Sequence, residues 1–172
     1  MLLVFGGLSG VGKSTISKGV ARAISAVYLR VDTIENSLFG HGLSEVGARG
    51  YEIAYEVASD NLALGLTVIA DSVNPVMATR NAWCEVAKLS GVQLIEIEIV
   101  CSNESEHRHR VETRVGDLVD LRLPTWVDVL NREYDPWDRG RFVIDTAGCT
   151  SEQSIQRTLS VFHKSITRQP VT

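Results

Sequence analysis

The chain has 172 residues, enough for one well-formed core and too few for two ordinary domains, so we expect a single domain over residues 1–172. Apolar residues make up 44% and charged residues 22%, which excludes a disordered or membrane-spanning chain. The net charge of −4 argues against a broadly basic nucleic-acid-binding face. The apolar start is too short for a membrane span and lacks a secretory signal, and three scattered cysteines favour the cytoplasm.

Short apolar runs alternate with amphipathic stretches along the chain. The apolar runs predict strands at 2–5, 26–29, 67–70, 93–100 and 142–144. The amphipathic stretches predict helices at 13–25, 43–64, 75–90, 104–114, 126–134 and 151–167. This alternation indicates an α/β fold in which helices cover both faces of a parallel sheet of about five strands. Ligands of such sheets bind beyond the carboxyl ends of the strands.

A phosphate-binding motif follows the first predicted strand. Residues 7–14, GLSGVGKS, fit the pattern GxxxxGK[ST] and open the first predicted helix. Backbone N–H groups of such a loop surround phosphates, its lysine reaches the β- and γ-phosphates, and its serine binds Mg²⁺. The alternative is a glycine-rich turn before a helix. We therefore expect ATP and Mg²⁺ to bind here, with contacts from Gly7, Ser9, Gly10, Val11, Gly12, Lys13, Ser14 and Thr15.

Two carboxylates follow the next two strands. Asp32, at the end of the second strand, is a candidate base for an acceptor hydroxyl, although an aspartate there could also cap a short helix. Asp71 ends the third strand, which in a P-loop fold lies beside the first strand. We expect Asp71 to support Mg²⁺ together with Ser14; the alternative is an ordinary turn residue.

The P-loop, the segment VDTIE at 31–35 and the segment DSVNPVMATRNAWCEVAKLSGV at 71–92 resemble small P-loop kinases. This group includes chloramphenicol phosphotransferase, zeta-type toxins and the kinase domain of polynucleotide kinases. The resemblance implies a three-layer P-loop NTPase sandwich of the nucleoside-kinase type, with a helical lid. It also implies an ATP-dependent kinase, and VDTIE supports Asp32 as the catalytic base.

The resemblance implies further residues at the nucleotide. Arg110 and Arg114 share one helix face and would close a lid over ATP, although a solvated helix with a Glu106–Arg110 pair is the alternative. The loop after the last strand would lie against adenine through backbone groups of Thr146, Ala147 and Gly148. His107 and His109 are predicted to be surface residues. Trp126, Tyr134 and Trp137 are predicted packing anchors.

The acceptor side is less constrained by the sequence. Asn74 and Arg80 fit the pattern of polynucleotide kinases and are candidate substrate contacts, although Asn74 before Pro75 is also a helix cap signal. Polynucleotide kinases carry an arginine where this chain has Glu35, which disfavours a nucleic-acid backbone. The predicted helix at 43–64 and the loop at 41–44 would wall the acceptor pocket. No role is assigned to Arg122 or Arg132.

These patterns favour transfer of the γ-phosphoryl group of ATP to a hydroxyl of a small molecule such as a metabolite, sugar or antibiotic. A polynucleotide 5′-hydroxyl or a nucleotide is the alternative acceptor. A third reading, from another class, is an ATPase or nucleotide-dependent switch without an acceptor. The sequence does not reveal the oligomeric state, and no membrane partner is expected.

Overall fold

The computed structural model describes residues 1–40, 46–118 and 123–167. Five strands in this part of the chain form one parallel sheet: β1 Leu2–Gly6, β2 Val27–Arg30, β3 Val68–Asp71, β4 Leu94–Val100 and β5 Phe142–Asp145. Their order across the sheet is β2-β3-β1-β4-β5. The predicted α/β fold with a parallel sheet of five strands is therefore confirmed.

Helices cover both faces of the sheet. In chain order they are α1 Lys13–Ile24, α2 Val31–Gly40, α3 Arg49–Ala63, α4 Met77–Leu89, α5 Glu104–Thr113, α6 Trp126–Leu130 and α7 Ser151–Thr167. Apolar residues of α1 and α7 pack on one face, and those of α3 and α4 pack on the other. Alternate residues of β1 serve the two cores, because successive side chains of a strand point to opposite faces. None of the described helices has the length and apolar character needed to span a bilayer.

Several element ends differ from the predictions. The strand β2 ends at Arg30, so Asp32 lies in the first turn of α2 and not at the end of the strand. The helix α3 begins at Arg49, because Gly47 has a φ of 54°, which a continuous right-handed helix does not allow. The helix α6 ends at Leu130 instead of residue 134. The loop expected at 41–44 and Arg122 lie outside the described residues.

The start of α4 is set by a distant residue. Asn74 has a left-handed φ of 49°, and Val76 is extended, so the helix begins only at Met77. The Met77 N–H donates to Oδ2 of Asp135 at 2.7 Å. The interpretation of Asn74 as the helix cap is therefore wrong, because a carboxylate from 58 residues later takes that role.

Arg80 lies in the interior, so its prediction as a substrate contact is also wrong. Its side chain has no exposed surface. The guanidinium donates to four carbonyl oxygens, those of Asn74, Pro75, Asp135 and Pro136, at 2.9–3.2 Å. It also lies 4.2 Å from the centroid of the Trp137 ring and 5.1 Å from that of the Tyr134 ring. These two aromatic residues are packing anchors, as predicted.

The Arg80 contacts position the carboxyl edge of the sheet. They join the segment 72–76, between β3 and α4, to the segment 135–136. The first of these segments also contacts the phosphate-binding loop, because the Gly7 N–H donates to the carbonyl of Val73 at 3.0 Å. A buried guanidinium thus fixes the backbone beside β1, where the loop begins.

Replacement of this guanidinium is expected to weaken the fold. Arg80→Met leaves four carbonyls without their donor, so we expect a loss of about 3 kcal/mol in the free energy of unfolding. Urea denaturation of the variant checks this value, with the exposed Arg22→Met as the matched control. Equal unfolding midpoints for the two variants would contradict the role given to Arg80.

Candidate functional site

A cavity of about 620 Å³ lies at the carboxyl edge of the sheet. That volume is typical of small-molecule sites. The predicted site residues that line it are Ser9, Gly10, Gly12, Lys13, Ser14, Thr15, Asp32, Arg110, Arg114 and Thr146. The predicted residues that do not line it are Gly7, Val11, Asp71, Asn74, Arg80, Ala147 and Gly148. The structure thus brings the phosphate loop, the candidate base and the two arginines predicted for a lid to one space.

Glycines shape the phosphate loop through close contacts. Gly7 has a φ of 134°, and a Cβ placed on it would lie 2.2 Å from the carbonyl oxygen of Ile99. Gly10 has a φ of 87°, and a Cβ there would lie 2.4 Å from Val111 of α5. Side chains at these positions would force the loop away from β4 and from α5. Gly7 and Gly10 are therefore required by the packing of this chain.

The loop leaves donors free for an anion. Among the described residues, no atom accepts a hydrogen bond from the N–H groups of Gly10, Val11 or Gly12. Lys13 has 8% of its surface exposed, and no described residue forms an ion pair or hydrogen bond with its ammonium. A cation this buried is costly without a negative partner. The loop therefore fits a phosphate group.

Asp32 reaches the cavity from the first turn of α2. Within the described chain, the group that donates to its carboxylate is the Arg30 guanidinium, at 3.5 Å. The carboxylate makes no bond to the N–H groups of its own helix, so capping does not explain its position. One of its oxygens is thus free for another donor.

Asp71 ends β3 beside Phe5 of β1, which confirms the predicted neighbour relation of these strands. It does not line the cavity, and 2% of its surface is exposed. The Tyr28 hydroxyl donates to Oδ2 of Asp71 at 2.5 Å, and burial together with the Asp71 charge raises the pKa of Tyr28. No described lysine or arginine pairs with Asp71. A buried carboxylate with a neutral partner suits a cation such as Mg²⁺.

Arg110 connects α5 to the loop after β5. Its guanidinium donates to Oγ1 of Thr146 at 2.9 Å and to the Thr146 carbonyl at 3.1 Å, and it also pairs with Glu106. A hydrogen bond from the Gly148 N–H, and the nearby Arg110, lower the pKa of Glu106. The Glu106–Arg110 pair, which the alternative of a solvated helix predicted, is therefore present. Arg110 also lines the cavity, as the lid prediction requires.

Arg114 follows the last turn of α5 and also lines the cavity. One of its Nη atoms donates to the Pro124 carbonyl at 3.0 Å, whereas its Nε is buried and has no described acceptor. Burial lowers the pKa of Arg114, and the Asp32 charge opposes that change. A guanidinium with a buried donor still unpaired is suited to an additional oxyanion.

The N–H groups of the loop predicted to contact adenine are already bonded within the chain. The Thr146 N–H donates to the Val100 carbonyl, the Ala147 N–H to Asp145, and the Gly148 N–H to Glu106, at 2.9–3.0 Å. These N–H groups are therefore not available to a base. The cavity wall here consists of Thr146 with four residues that the sequence analysis missed: Cys149, Thr150, Ser151 and Ser154.

His107 is buried, so its prediction as a surface residue is wrong. Its Nε2 lies 2.8 Å from the carbonyl oxygen of Ser9, and its ring packs edge-on against Trp126 at 5.1 Å. Because a carbonyl only accepts, Nε2 carries the proton. His107 thus joins the phosphate loop to α5 and α6. His109 is exposed, as predicted.

A group of three charged residues that no sequence pattern indicated lies at the other end of the cavity. Lys18 of α1 and Arg30 of β2 both donate to Asp117, which follows α5. All three residues line the cavity. No motif marks them, because they are distant in the chain and their contact depends on how α5 is placed.

Glu35 lies one turn after Asp32 on α2 and packs over Gly50, where a Cβ would lie 2.3 Å from the Glu35 Cγ. Burial, followed by the Asp32 charge, raises the pKa of Glu35 to about 7, and Arg132 partly opposes this. Arg132 is exposed and does not line the cavity. Glu35 is therefore partly protonated near neutral pH.

This raised pKa predicts a pH-dependent stability. Between pH 4.5 and about 7 the folded protein retains a proton that the unfolded chain has lost, so stability falls as pH rises through that window. Glu35→Gln removes this penalty. We expect a gain of roughly 1–2 kcal/mol over the native protein at pH 8, after allowance for solvent screening, and little gain at pH 4.

Chemical denaturation at both pH values measures the effect. The exposed Glu85→Gln serves as the control and is expected to show no such difference between the two values. A gain for Glu35→Gln that is the same at pH 4 and pH 8 would contradict the titration of this carboxyl.

Comparisons with known proteins agree with this geometry. A family described as AAA_33, an AAA domain, matches residues 2–131. No curated protein sequence matches the chain significantly. Among solved structures, a proposed kinase from Chloroflexus aurantiacus J-10-fl has 20% identity and a TM-score of 0.70, with 92% of this chain and 96% of that chain covered.

Two further structures have names that state an activity. A gluconokinase from Sinorhizobium meliloti 1021 has 19% identity and a TM-score of 0.66, covering 94% of this chain and 91% of that chain. APS kinase of Mycobacterium tuberculosis, in complex with AMPPNP and APS, has 17% identity and a TM-score of 0.67, covering 94% and 96%. These likenesses show the fold and confirm the resemblance to small P-loop kinases. The match over residues 2–131 shows that the chain belongs to the AAA_33 family of AAA domains.

Proposed function

We propose that the protein is an ATP-dependent kinase that transfers the γ-phosphoryl group to a hydroxyl of a small molecule. One observation carries this proposal: the buried, unpaired Lys13 and the carboxylate of Asp32 line the same cavity. An anion site and a candidate base in one space are the two parts that transfer to a hydroxyl requires. The gluconokinase and APS kinase with the same fold are named for small-molecule acceptors.

The phosphate loop would bind the triphosphate. The free N–H groups of Gly10, Val11 and Gly12 would donate to phosphate oxygens, and Lys13 would reach the β- and γ-phosphates. The positive end of α1 adds favourable potential at the same place. The Thr146 end of the cavity, bounded by the start of α7, would hold the nucleoside.

Asp32 would act on the acceptor. Its free oxygen would accept the hydrogen bond of the acceptor hydroxyl and take its proton during transfer. Arg30, whose guanidinium lies 3.5 Å from Asp32, would hold the Asp32 carboxylate in position beside the acceptor hydroxyl. Arg110 and Arg114 would neutralise the charge on the transferred group, and the unpaired Nε of Arg114 is a donor for that purpose.

The donor set also fits Mg²⁺. The hydroxyl of Ser14 lines the cavity, and Asp71 supplies a buried carboxylate without a cationic partner among the described residues. When bound, Mg²⁺ would neutralise phosphate charge and orient the γ-phosphoryl group. Tyr28 would hold the Asp71 carboxylate in one orientation through its hydrogen bond.

Replacement of the two central groups should separate binding from transfer. Asp32→Asn keeps the shape of the side chain and removes the base, so we expect kcat to fall about 100-fold or more while ATP affinity changes little. Lys13→Met is expected to weaken ATP binding itself. Calorimetry with ATP and an acceptor panel with product detection measure both quantities.

The same experiment decides among the alternative functions. ATP consumption that needs no acceptor and persists in Asp32→Asn would contradict transfer and favour an ATPase or switch. Turnover with single-stranded oligonucleotides, and none with small hydroxylated molecules, would favour the polynucleotide acceptor. The exposed Glu104→Gln on α5 is the control for effects of charge removal near the lid.

The Tyr28 hydrogen bond gives a prediction for Mg²⁺. Tyr28→Phe leaves the Asp71 carboxylate without its donor, so we expect the Mg²⁺ concentration for half-maximal activity to rise about tenfold. Titration of Mg²⁺ at saturating ATP measures it. Tyr134→Phe, which removes a phenol that donates to Glu98 at 3.1 Å and lies outside the cavity lining, is the matched control. An unchanged Mg²⁺ requirement in Tyr28→Phe would contradict the role of Asp71.

A further inference from the structure

Two cations lie at the acceptor end of the cavity, apart from those assigned to the triphosphate. Arg30 ends β2, and its guanidinium lies 3.5 Å from Asp32. Lys18 lies one turn after Ser14 on α1. Both cations donate to Asp117: Lys18 at 2.8 Å, and Nη1 of Arg30 at 2.8 and 2.9 Å to the two oxygens. Two elements of the fold thus converge on one carboxylate.

Asp117 does not pair with all the hydrogen-bond donors of the Arg30 guanidinium. Both carboxylate oxygens share the single Nη1, whereas the Arg30 Nε is buried and has no described acceptor. A guanidinium binds an oxyanion best through two parallel N–H bonds, and that arrangement is missing here. The Arg30 side chain is 10% exposed, whereas that of Asp117 is 55% exposed. A nearly buried cation is therefore held by a carboxylate that is open to solvent.

The position of Asp117 makes it replaceable. It follows the end of α5 in a segment, 114–118, that forms no helix or strand. Its carboxylate pairs with Lys18, which is 37% exposed, and with Arg30, which is 10% exposed, so solvent reaches the carboxylate more readily than it reaches Arg30. A free oxyanion could take the place of Asp117, because it would supply the nearly buried Arg30 with an equivalent negative partner.

The charged residues that line the cavity also favour an anion at this end. Its lining contains five cations, Lys13, Lys18, Arg30, Arg110 and Arg114, and two carboxylates, Asp32 and Asp117. If three of the cations serve the phosphates, Lys18 and Arg30 remain beside the candidate base. Without Asp117 this end of the cavity carries an excess of positive charge.

We infer that Arg30 and Lys18 form an oxyanion subsite for the acceptor, and that Asp117 occupies this subsite when no acceptor is bound. The inference rests on the proposed kinase function and assigns the acceptor to a class: a small hydroxylated molecule that also carries a carboxylate, phosphate or sulfate group. The oxyanion would bind Arg30 and Lys18 while the reacting hydroxyl meets Asp32. Asp117 acts as an internal competitor for this class of acceptor.

The test uses simple oxyanions as probes on the whole chain. Acetate and inorganic phosphate are titrated with AMPPNP and Mg²⁺ present, which keeps the probes out of the phosphate loop. Acetamide is the neutral analogue of acetate. The NMR resonance of the Arg30 Nε–H reports binding at this subsite alone. The variants are Asp117→Asn, Arg30→Gln and the control Glu112→Gln, which removes an exposed α5 carboxylate that pairs with Arg108.

The expected result is competition between the probes and Asp117. In Asp117→Asn, acetate and phosphate should shift the Arg30 resonance with a Kd on the order of 10 mM. In the native chain and in Glu112→Gln the affinity should be about tenfold weaker. In Arg30→Gln, which is followed through the backbone N–H resonance of residue 30 because the guanidinium is absent, the gain in acetate affinity on adding Asp117→Asn should disappear. Acetamide should not shift the Arg30 resonance in the other variants. The relative affinity of acetate and phosphate distinguishes a carboxylate from a phosphate acceptor.

Two results would overturn the inference. One is the absence of a saturable shift in Asp117→Asn up to about 200 mM probe, which is roughly twentyfold above the expected Kd; Asp117 would then serve only to hold the segment after α5. The other is an acceptor whose kcat/KM is unchanged by Arg30→Gln. Failure of AMPPNP to bind would instead contradict the proposed function. The two failures can be told apart, because the Arg30 resonance reports oxyanion binding with or without nucleotide.

Discussion

The site depends on one buried cation without a counter-ion. Lys13 is almost fully buried, and no described residue pairs with its ammonium. Burial of an unpaired charge is unfavourable. The folded protein therefore carries an unfavourable desolvation free energy at Lys13, which an anionic ligand would offset. The glycines of the loop make this arrangement accessible, because side chains at Gly7 and Gly10 would collide with β4 and α5. The protein is in this sense complementary to a phosphate before one binds.

The rest of the structure holds the elements around that charge. Buried Arg80 fixes the segment after β3, and this segment contacts the start of the phosphate loop through Val73. On the other side, His107 joins the loop to α5. The helix α5 in turn supplies Arg110 to the Thr146 end of the cavity and leads into the segment that carries Asp117. One helix and the segment after it thus contribute to both ends of the cavity.

The sequence was sufficient for the fold and for the phosphate loop. Local patterns determine both: the five strands are short apolar runs, and the motif at residues 7–14 requires only neighbouring residues. The order of strands near β1 also followed, because the P-loop motif implies the position of β3. Asp32 reached the cavity as predicted, although the strand before it ends two residues earlier. Its catalytic role stays a prediction.

The roles of the remaining polar residues were decided by tertiary contacts. Arg80 resembles a substrate-binding residue in sequence, but four carbonyls and two aromatic rings enclose it in the fold. Lys18, Arg30 and Asp117 carry no motif, yet they meet beside Asp32 in the lining of the cavity. The sequence by itself determined which segments form the five strands and where the phosphate-binding motif lies, because those depend on adjacent residues. Only the tertiary structure decided which charges are buried, paired or free, because desolvation and ion pairing depend on groups that are distant in the chain.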